Sequence, residues 1–176
     1  LYLMNLLERF KSVTTFVFDV DGVLTDGTLL VLANGIMARK MNVKDGYALQ
    51  LAVKKGYNVV IISGGASVEV ADRLQKLGVS EVFMKVTDKA SVLQEFLQKK
   101  QLSWNNVLFM GDDIPDLIVM KKAGIACCPA DAVHDIKEIS AYISPVNGGF
   151  GCVRDVIEKV LKLRGDWNEE TNIPSI

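Results

Sequence analysis

No apolar stretch in this sequence approaches the roughly 20 residues a helix needs to cross a bilayer. Blocks of basic residues are likewise missing, and the formal net charge is −1. Neither a nucleic-acid footprint nor a polybasic membrane surface is expected. Cysteine is scarce: Cys127, Cys128 and Cys152 form an odd set, two of them adjacent in an apolar run, and give no disulfide framework. Buried, reduced thiols in a cytoplasmic protein are the expectation. No CxxC spacing occurs, and the only histidine, His134, lies in the polar segment 131–138 without a nearby partner. This disfavours a zinc-type centre and makes His134 a solvated helix residue. Residues 1–10 carry Glu8 and Arg9 and read as a short amphipathic helix, without a signal-peptide core or cleavage site. Leu1 is not an initiator methionine, so the sequence is expected to begin inside a longer chain.

What remains is a chain of 176 residues, 49% hydrophobic and 23% charged, of a size and composition for one globular domain. Apolar runs at 15–19, 57–63, 81–84, 107–111, 125–128 and 141–143 read as strands. Helix-period segments fall at 46–55, 66–77, 89–100, 114–123, 133–138 and 153–163. This alternation predicts an α/β fold, a doubly wound parallel sheet with helices on both faces. Gly56, Gly78 and Gly124 follow helical segments, where C-terminal caps belong. Segments 28–32 and 36–41, joined by Ala33-Asn34-Gly35, break the pattern and read as a β-hairpin. One domain over 1–164 is expected, followed by a polar tail at 165–176 that would be disordered unless something holds it.

The chemistry gathers at strand ends. Phe16-Val17-Phe18 runs into Asp19-Val20-Asp21-Gly22, two acids spaced i, i+2 where a buried strand leaves the sheet. Open α/β sheets keep their ligand crevices at that edge. Such acids can hold a hard cation, act as a nucleophile, or move a proton. Ser63-Gly64 follows the second run, Lys89 opens the helix after the third, and Gly111-Asp112-Asp113 with Asp116 follows the fourth. Converging carboxylates, one ammonium and one hydroxyl suit phosphoryl transfer on Mg²⁺. Asp19 and Asp112 would hold the ion, and Lys89 would add a fixed charge. Asp19 would attack phosphorus, while Asp21 would protonate the leaving alcohol and later deprotonate water. Ser63 and the backbone N–H groups of Asp21-Gly22 and Gly64-Gly65 would hold the phosphoryl oxygens.

Asp19-Val20-Asp21-Gly22, Ser63, Lys89 and the acids at Asp112 to Asp116 fall in the order of the four motifs of the haloacid dehalogenase superfamily. The chain resembles that superfamily over nearly its whole length. The resemblance implies a Rossmann-like fold. Asp21, an acid the dehalogenases lack, implies a phosphatase. Neither the interval from Asp19 to Ser63 nor that from Ser63 to Lys89 holds a usual cap domain, so something else must cover the site.

A capless member with this hairpin resembles the 3-deoxy-D-manno-octulosonate 8-phosphate phosphatases of lipopolysaccharide precursor synthesis. The likeness rests on Thr25-Asp26-Gly27, the run 42–49, Arg73, the run 148–161 and the terminal Pro174-Ser175-Ile176. It implies a homotetramer, Mg²⁺ held by Asp19, Asp112 and the Asp21 backbone carbonyl, and a small phosphorylated sugar acid as substrate. Asn42, Val43, Lys44, Asp45, Gly46, Gly64, Arg73 and Lys89 are implied as substrate contacts, with one subunit's tail reaching toward another's site. Gln50 and Gly65 stand where many members carry arginines for the sugar acid, so fewer cations meet its carboxylate and a nine-carbon relative stays open as substrate. From another class, a non-catalytic scaffold stays open too, as does a receiver-like phosphoacceptor domain. A receiver places its lysine last, whereas Lys89 precedes the second acid pair.

Overall fold

The computed structural model describes residues 5–174 and 176. Part of the N-terminal helix expected over 1–10, and Ser175 of the terminal tripeptide, lie outside these residues. A helix α1 (Leu6–Ser12) begins at Asn5, whose side chain caps the Glu8 N–H. Strands β1 (Thr15–Phe18), β4 (Asn58–Ile62), β5 (Glu81–Phe83), β6 (Val107–Met110), β7 (Ile125–Cys128) and β8 (Tyr142–Ile143) form one sheet in the order β5-β4-β1-β6-β7-β8. Every pairing in it is parallel. The chain steps outward from β1 to one side and then to the other. The switch point therefore lies at β1, between β4 and β6, and a crevice opens beyond its C-terminal end.

Burial on both faces explains the continuous apolar strands. Phe16 and Phe18 of β1 enter one core with Leu49, Ile61, Val156 and Leu161. Val17, one residue out of step, enters the other with Val60, Leu93, Phe109 and Ile136. The first core is covered by α1, α2 (Val43–Lys54), α3 (Val68–Lys76) and α7 (Cys152–Arg164). The second is covered by α4 (Lys89–Lys100), α5 (Leu117–Lys122) and α6 (His134–Ile139).

Local details differ from the sequence reading for physical reasons. α2 starts three residues early because Asn42 accepts the Lys44 N–H. α5 starts late, after a 3-10 turn at Ile114–Asp116 that carries Pro115. Gly56 and Gly78 adopt positive φ as expected of caps, but Gly124 does not. A Cβ at Gly124 would collide with the Asn105 backbone, so close approach requires glycine there. The hairpin shrinks to β2 (Leu30–Val31) and β3 (Met37–Ala38), with Asn34 and Gly35 both left-handed in its turn.

The tail is held. Asp166 accepts the Tyr57 hydroxyl at 2.5 Å, and Trp167 and Tyr47 both lie against the Arg154 guanidinium. Glu170 pairs with Lys54 and Lys55, the Pro174 carbonyl accepts Gln50 Nε2 at 3.0 Å, and the Ile176 carbonyl accepts Arg73 Nη2 at 2.9 Å. The tail thus crosses α2 of its own chain and ends at α3.

Candidate active site

Asp19 is the first residue beyond β1. Its Oδ1 accepts the Val20 N–H at 2.7 Å and lies 3.0 Å from Lys89 Nζ, while Oδ2 makes no hydrogen bond among the described residues. Lys89 is buried in the first turn of α4, with its ammonium 2.7 Å from Asp116 Oδ1. The other oxygen of Asp116 accepts the Asp112 N–H at 3.2 Å. Asp116 thereby fixes both the cation and the loop that carries Asp112. Burial, then the charge of Asp116, pushes the Asp19 carboxyl up to about 7 against the pull of Lys89. Burial, then Asp19, Asp116 and Asp113, pushes Asp112 up to about 7 as well. Burial alone would lower Lys89, but Asp19 and Asp116 hold it above the usual lysine range.

Asp19, Asp112 and Asp116 each offer an oxygen, all within 4.8 Å of one another. Three carboxylates against one ammonium leave surplus negative charge among hard oxygen donors, which fits a Mg²⁺-like ion. Because both Asp116 oxygens are already engaged, Asp19 and Asp112 are the side chains best placed as ligands. The Asp21 carboxylate is not part of this cluster.

The loop after β1 fits only with glycine at 22. Gly22 has φ 83°, and a Cβ there would collide with the Asp112 carboxylate. A Cβ at Gly148 would likewise run into the Gly22 carbonyl, and the Gly149 N–H donates to the Val23 carbonyl at 2.9 Å. The 148–161 run therefore buttresses the acid loop from beneath. Of the four backbone N–H groups expected to cradle phosphate, two are already used. Gly22 donates to Thr25 Oγ1 at 3.3 Å and Gly65 to Ser63 Oγ at 3.0 Å. Ser63 is buried, and since its oxygen accepts, its hydroxyl hydrogen remains to be donated. Asp19, Asp21, Ser63, Gly64, Lys89 and Asp112 line one cavity of about 350 Å³.

Arg39, just past β3, carries no motif and was missed in the sequence, where it reads as a strand residue. Its Nε donates to Asp21 Oδ1 at 2.6 Å and its Nη2 to Asp21 Oδ2 at 3.1 Å. It also lines a second cavity of about 420 Å³ between the hairpin and α3, with Met37, Met41, Val43, Glu69 and Arg73. The residues implied as substrate contacts divide accordingly. Val43 and Arg73 line this second cavity, whereas Asn42, Lys44, Asp45 and Gly46 line neither cavity. Asn42 caps α2 and donates to the Gly149 carbonyl at 3.3 Å. Lys44 is exposed, and Gly46 packs beside Arg73 and Leu77. Asp45 is buried and turned to the start of α7.

Residues 78–157 match the haloacid dehalogenase-like hydrolase family. The chain is 31% identical over 165 residues to the 3-deoxy-D-manno-octulosonate 8-phosphate phosphatase of Escherichia coli K12, covering 94% of this chain and 88% of that one. The chain belongs to the haloacid dehalogenase-like hydrolases. Within them it resembles the phosphatases named for that sugar acid. This hydrolase also superposes with a TM-score of 0.88 on the corresponding Moraxella catarrhalis phosphatase, a crystal structure in complex with magnesium, phosphate and the sugar acid. The identity is 31%, covering 91% of this chain and 92% of that one. A cobalt-bound Haemophilus influenzae phosphatase gives a TM-score of 0.85 at 26% identity, over 89% and 92% of the two chains. Its parallel sheet and flanking helices are thus the family's fold. Among the described residues, no helix is long and apolar enough to cross a membrane.

Proposed function

We propose that this chain is a Mg²⁺-dependent phosphatase that hydrolyses 3-deoxy-D-manno-octulosonate 8-phosphate to the free sugar acid and phosphate. The observation that carries the reading is the buried Asp19–Lys89–Asp116 arrangement at the switch point, clustered with Asp112 in a cavity that Asp21 also lines. When bound between Asp19 and Asp112, the metal would offset negative charge on the phosphate and its attacker. Asp19 Oδ2 attacks phosphorus in line, the ester P–O bond breaks, and Asp21 gives its proton to the departing alkoxide. Asp21 then takes a proton from the water that hydrolyses the aspartyl-phosphate on Asp19. Lys89, held by Asp116, supplies fixed positive charge, and the Ser63 hydroxyl donates to a phosphoryl oxygen.

The sugar acid is assigned to the second cavity, whose Arg39 pairs with Asp21 of the first. Arg39 and Arg73 line it, and two guanidiniums suit a carboxylate-bearing leaving group. Position 50, one of the two that depart from the family pattern, is used by the tail through Gln50. At the other, Gly65, Arg39 Nη2 lies 3.4 Å from where a Cβ would stand. Buried free thiols support a cytoplasmic setting, and the exposed hairpin supports a homotetramer. Residues 1–164 act as one catalytic domain in this reading, with 165–176 as its strap.

Specificity constants across eight- and nine-carbon 3-deoxy sugar acid phosphates test the assignment. The eight-carbon ester is expected to lead. A higher constant for a nine-carbon ester moves the substrate to that relative, and no Mg²⁺-dependent hydrolysis of any ester removes the enzyme.

A further inference from the structure

Asp21 faces its cavity from the lip of the site, yet its geometry is set from outside the acid loop. Arg39 reaches it from the end of the hairpin and engages both carboxylate oxygens, while Nη1 donates to the Met37 carbonyl at 3.1 Å. An exposed ion pair would contribute little. Here the Arg39 side chain is 8% exposed and Asp21 36%, and what sets the pair apart is its bidentate geometry. The space it occupies is kept open by Gly65. A Cβ there would stand 3.3 Å from Asp21 Oδ2, 3.3 Å from Ser63 Oγ and 3.4 Å from Arg39 Nη2. One guanidinium therefore meets the acid, the rim of the phosphate cradle and the second cavity at once.

We infer that Arg39 is a positioning residue for proton transfer: its short Nε bond to Asp21 Oδ1 at 2.6 Å holds the carboxyl in place, while Oδ2, on the longer 3.1 Å contact, is released to carry the proton to the leaving-group oxygen. Without it, Asp21 rotates toward solvent on a loop where glycine follows, and the departing alkoxide loses its donor. The attack by Asp19 needs no help from Arg39. In kcat/KM, which ends at phosphorylation of Asp19, the cost should therefore fall on esters whose leaving group must be protonated and spare those whose leaving group departs as a stable anion; the later activation of water by Asp21 is common to both. The hairpin that carries Arg39 thereby becomes part of the chemical machinery rather than only a cover. The inference rests on the phosphatase reading above.

Benzyl phosphate and p-nitrophenyl phosphate separate the two cases. They are of similar size and neither carries a carboxylate, so substrate recognition by Arg39 does not enter. The benzyl ester releases an alkoxide, whereas nitrophenolate leaves unaided. For Arg39→Met, kcat/KM on benzyl phosphate should fall at least about tenfold more than on p-nitrophenyl phosphate, within the range general acid catalysis supplies. Asp21→Asn should show the same asymmetry, and adding Arg39→Met to it should cost nothing further. Arg39→Lys, with one ammonium for two oxygens, should recover part of the loss. An unchanged circular-dichroism spectrum and thermal midpoint report in each variant that the fold survives. Equal losses on the two esters, or losses that add to those of Asp21→Asn, would overturn the inference while leaving the phosphatase intact. Failure of the unchanged chain to hydrolyse either ester with Mg²⁺ would remove both.

Discussion

The Asp45 carboxylate accepts the backbone N–H of Arg154 at 2.7 Å, tying the first turn of α2 to the first turn of α7. A helix N-terminus favours an anion, but burial wins and pushes the Asp45 carboxyl up to about 6. Its Oδ2 is buried with no hydrogen-bond partner among the described residues. The unfolded chain releases this proton near pH 4 and the native chain only near 6, so the native state binds more protons in between. Stability should therefore fall as pH rises through that window and level off above it. The shift of about two units corresponds to a contribution on the order of 3 kcal/mol. Asp45→Asn should abolish that part of the slope in denaturant unfolding between pH 4 and 7. An unaltered slope would mean the carboxyl titrates normally.

Lys89 faces Asp19 and Asp116 at once, so its removal has two consequences. Lys89→Met should lower kcat about 10²- to 10³-fold through lost charge stabilisation. It also leaves three crowded carboxylates without a counter-charge, and breaking a buried pair costs about 3–5 kcal/mol. That loss of stability should be large in a chelator and largely recovered in Mg²⁺. Calorimetry with and without the metal checks it, and equal destabilisation in both conditions would contradict the charge argument.

Much of this site was legible because polar residues at the ends of apolar runs have few other reasons to be there. Asp19 and Ser63 stand one residue beyond β1 and β4, Asp112 two beyond β6, and Lys89 opens the helix after β5, and parallel pairing brings those ends to one edge. Arg39 was not legible, since its partner lies 18 residues away and is chosen by how the hairpin folds back. The tie that Asp45 makes to α7 was not legible for a related reason. A polar residue in a first helical turn normally serves its own helix or a ligand, and only the approach of α7 turns this one inward. Gly124 looked like a cap because sequence carries no record of the Asn105 backbone against it. The tail was undecided from composition alone, as its fixing points are scattered over α2, Tyr57 just before β4, and α3.

Metal binding should compete with protons. With Asp19 and Asp112 both pushed up to about 7, a cation must displace protons below that pH. Apparent Mg²⁺ affinity should weaken about tenfold per pH unit for each proton displaced. At neutral pH, Mg²⁺ at about 100 times its Kd should stabilise the fold by about 2.7 kcal/mol. Thermal shifts at pH 6 and 8 measure both effects. Asp112→Asn should lose most of the shift, whereas Asp21→Asn should keep it, since the Asp21 carboxylate lies outside the acidic cluster.

The hairpin carries the last prediction. Leu30 is 64% exposed and Val31 67%, and Leu32, Ile36 and Met37 lie open beside them. A contiguous apolar face of this kind on two short strands is an interaction surface or an aggregation liability. Two-residue strands cannot hold themselves rigid, yet Arg39 at their end must hold Asp21. Packing of hairpins between copies of the chain would supply the missing rigidity and cover the open site together. The unchanged chain should therefore scatter light as a tetramer. Leu30→Glu with Ile36→Glu should shift it toward monomer and reduce kcat/KM for benzyl phosphate more than that for p-nitrophenyl phosphate, because a loosened hairpin releases Arg39. A monomeric parent would overturn the assembly. A monomeric variant with full activity on both esters would show that the hairpin positions Arg39 without help from a neighbour.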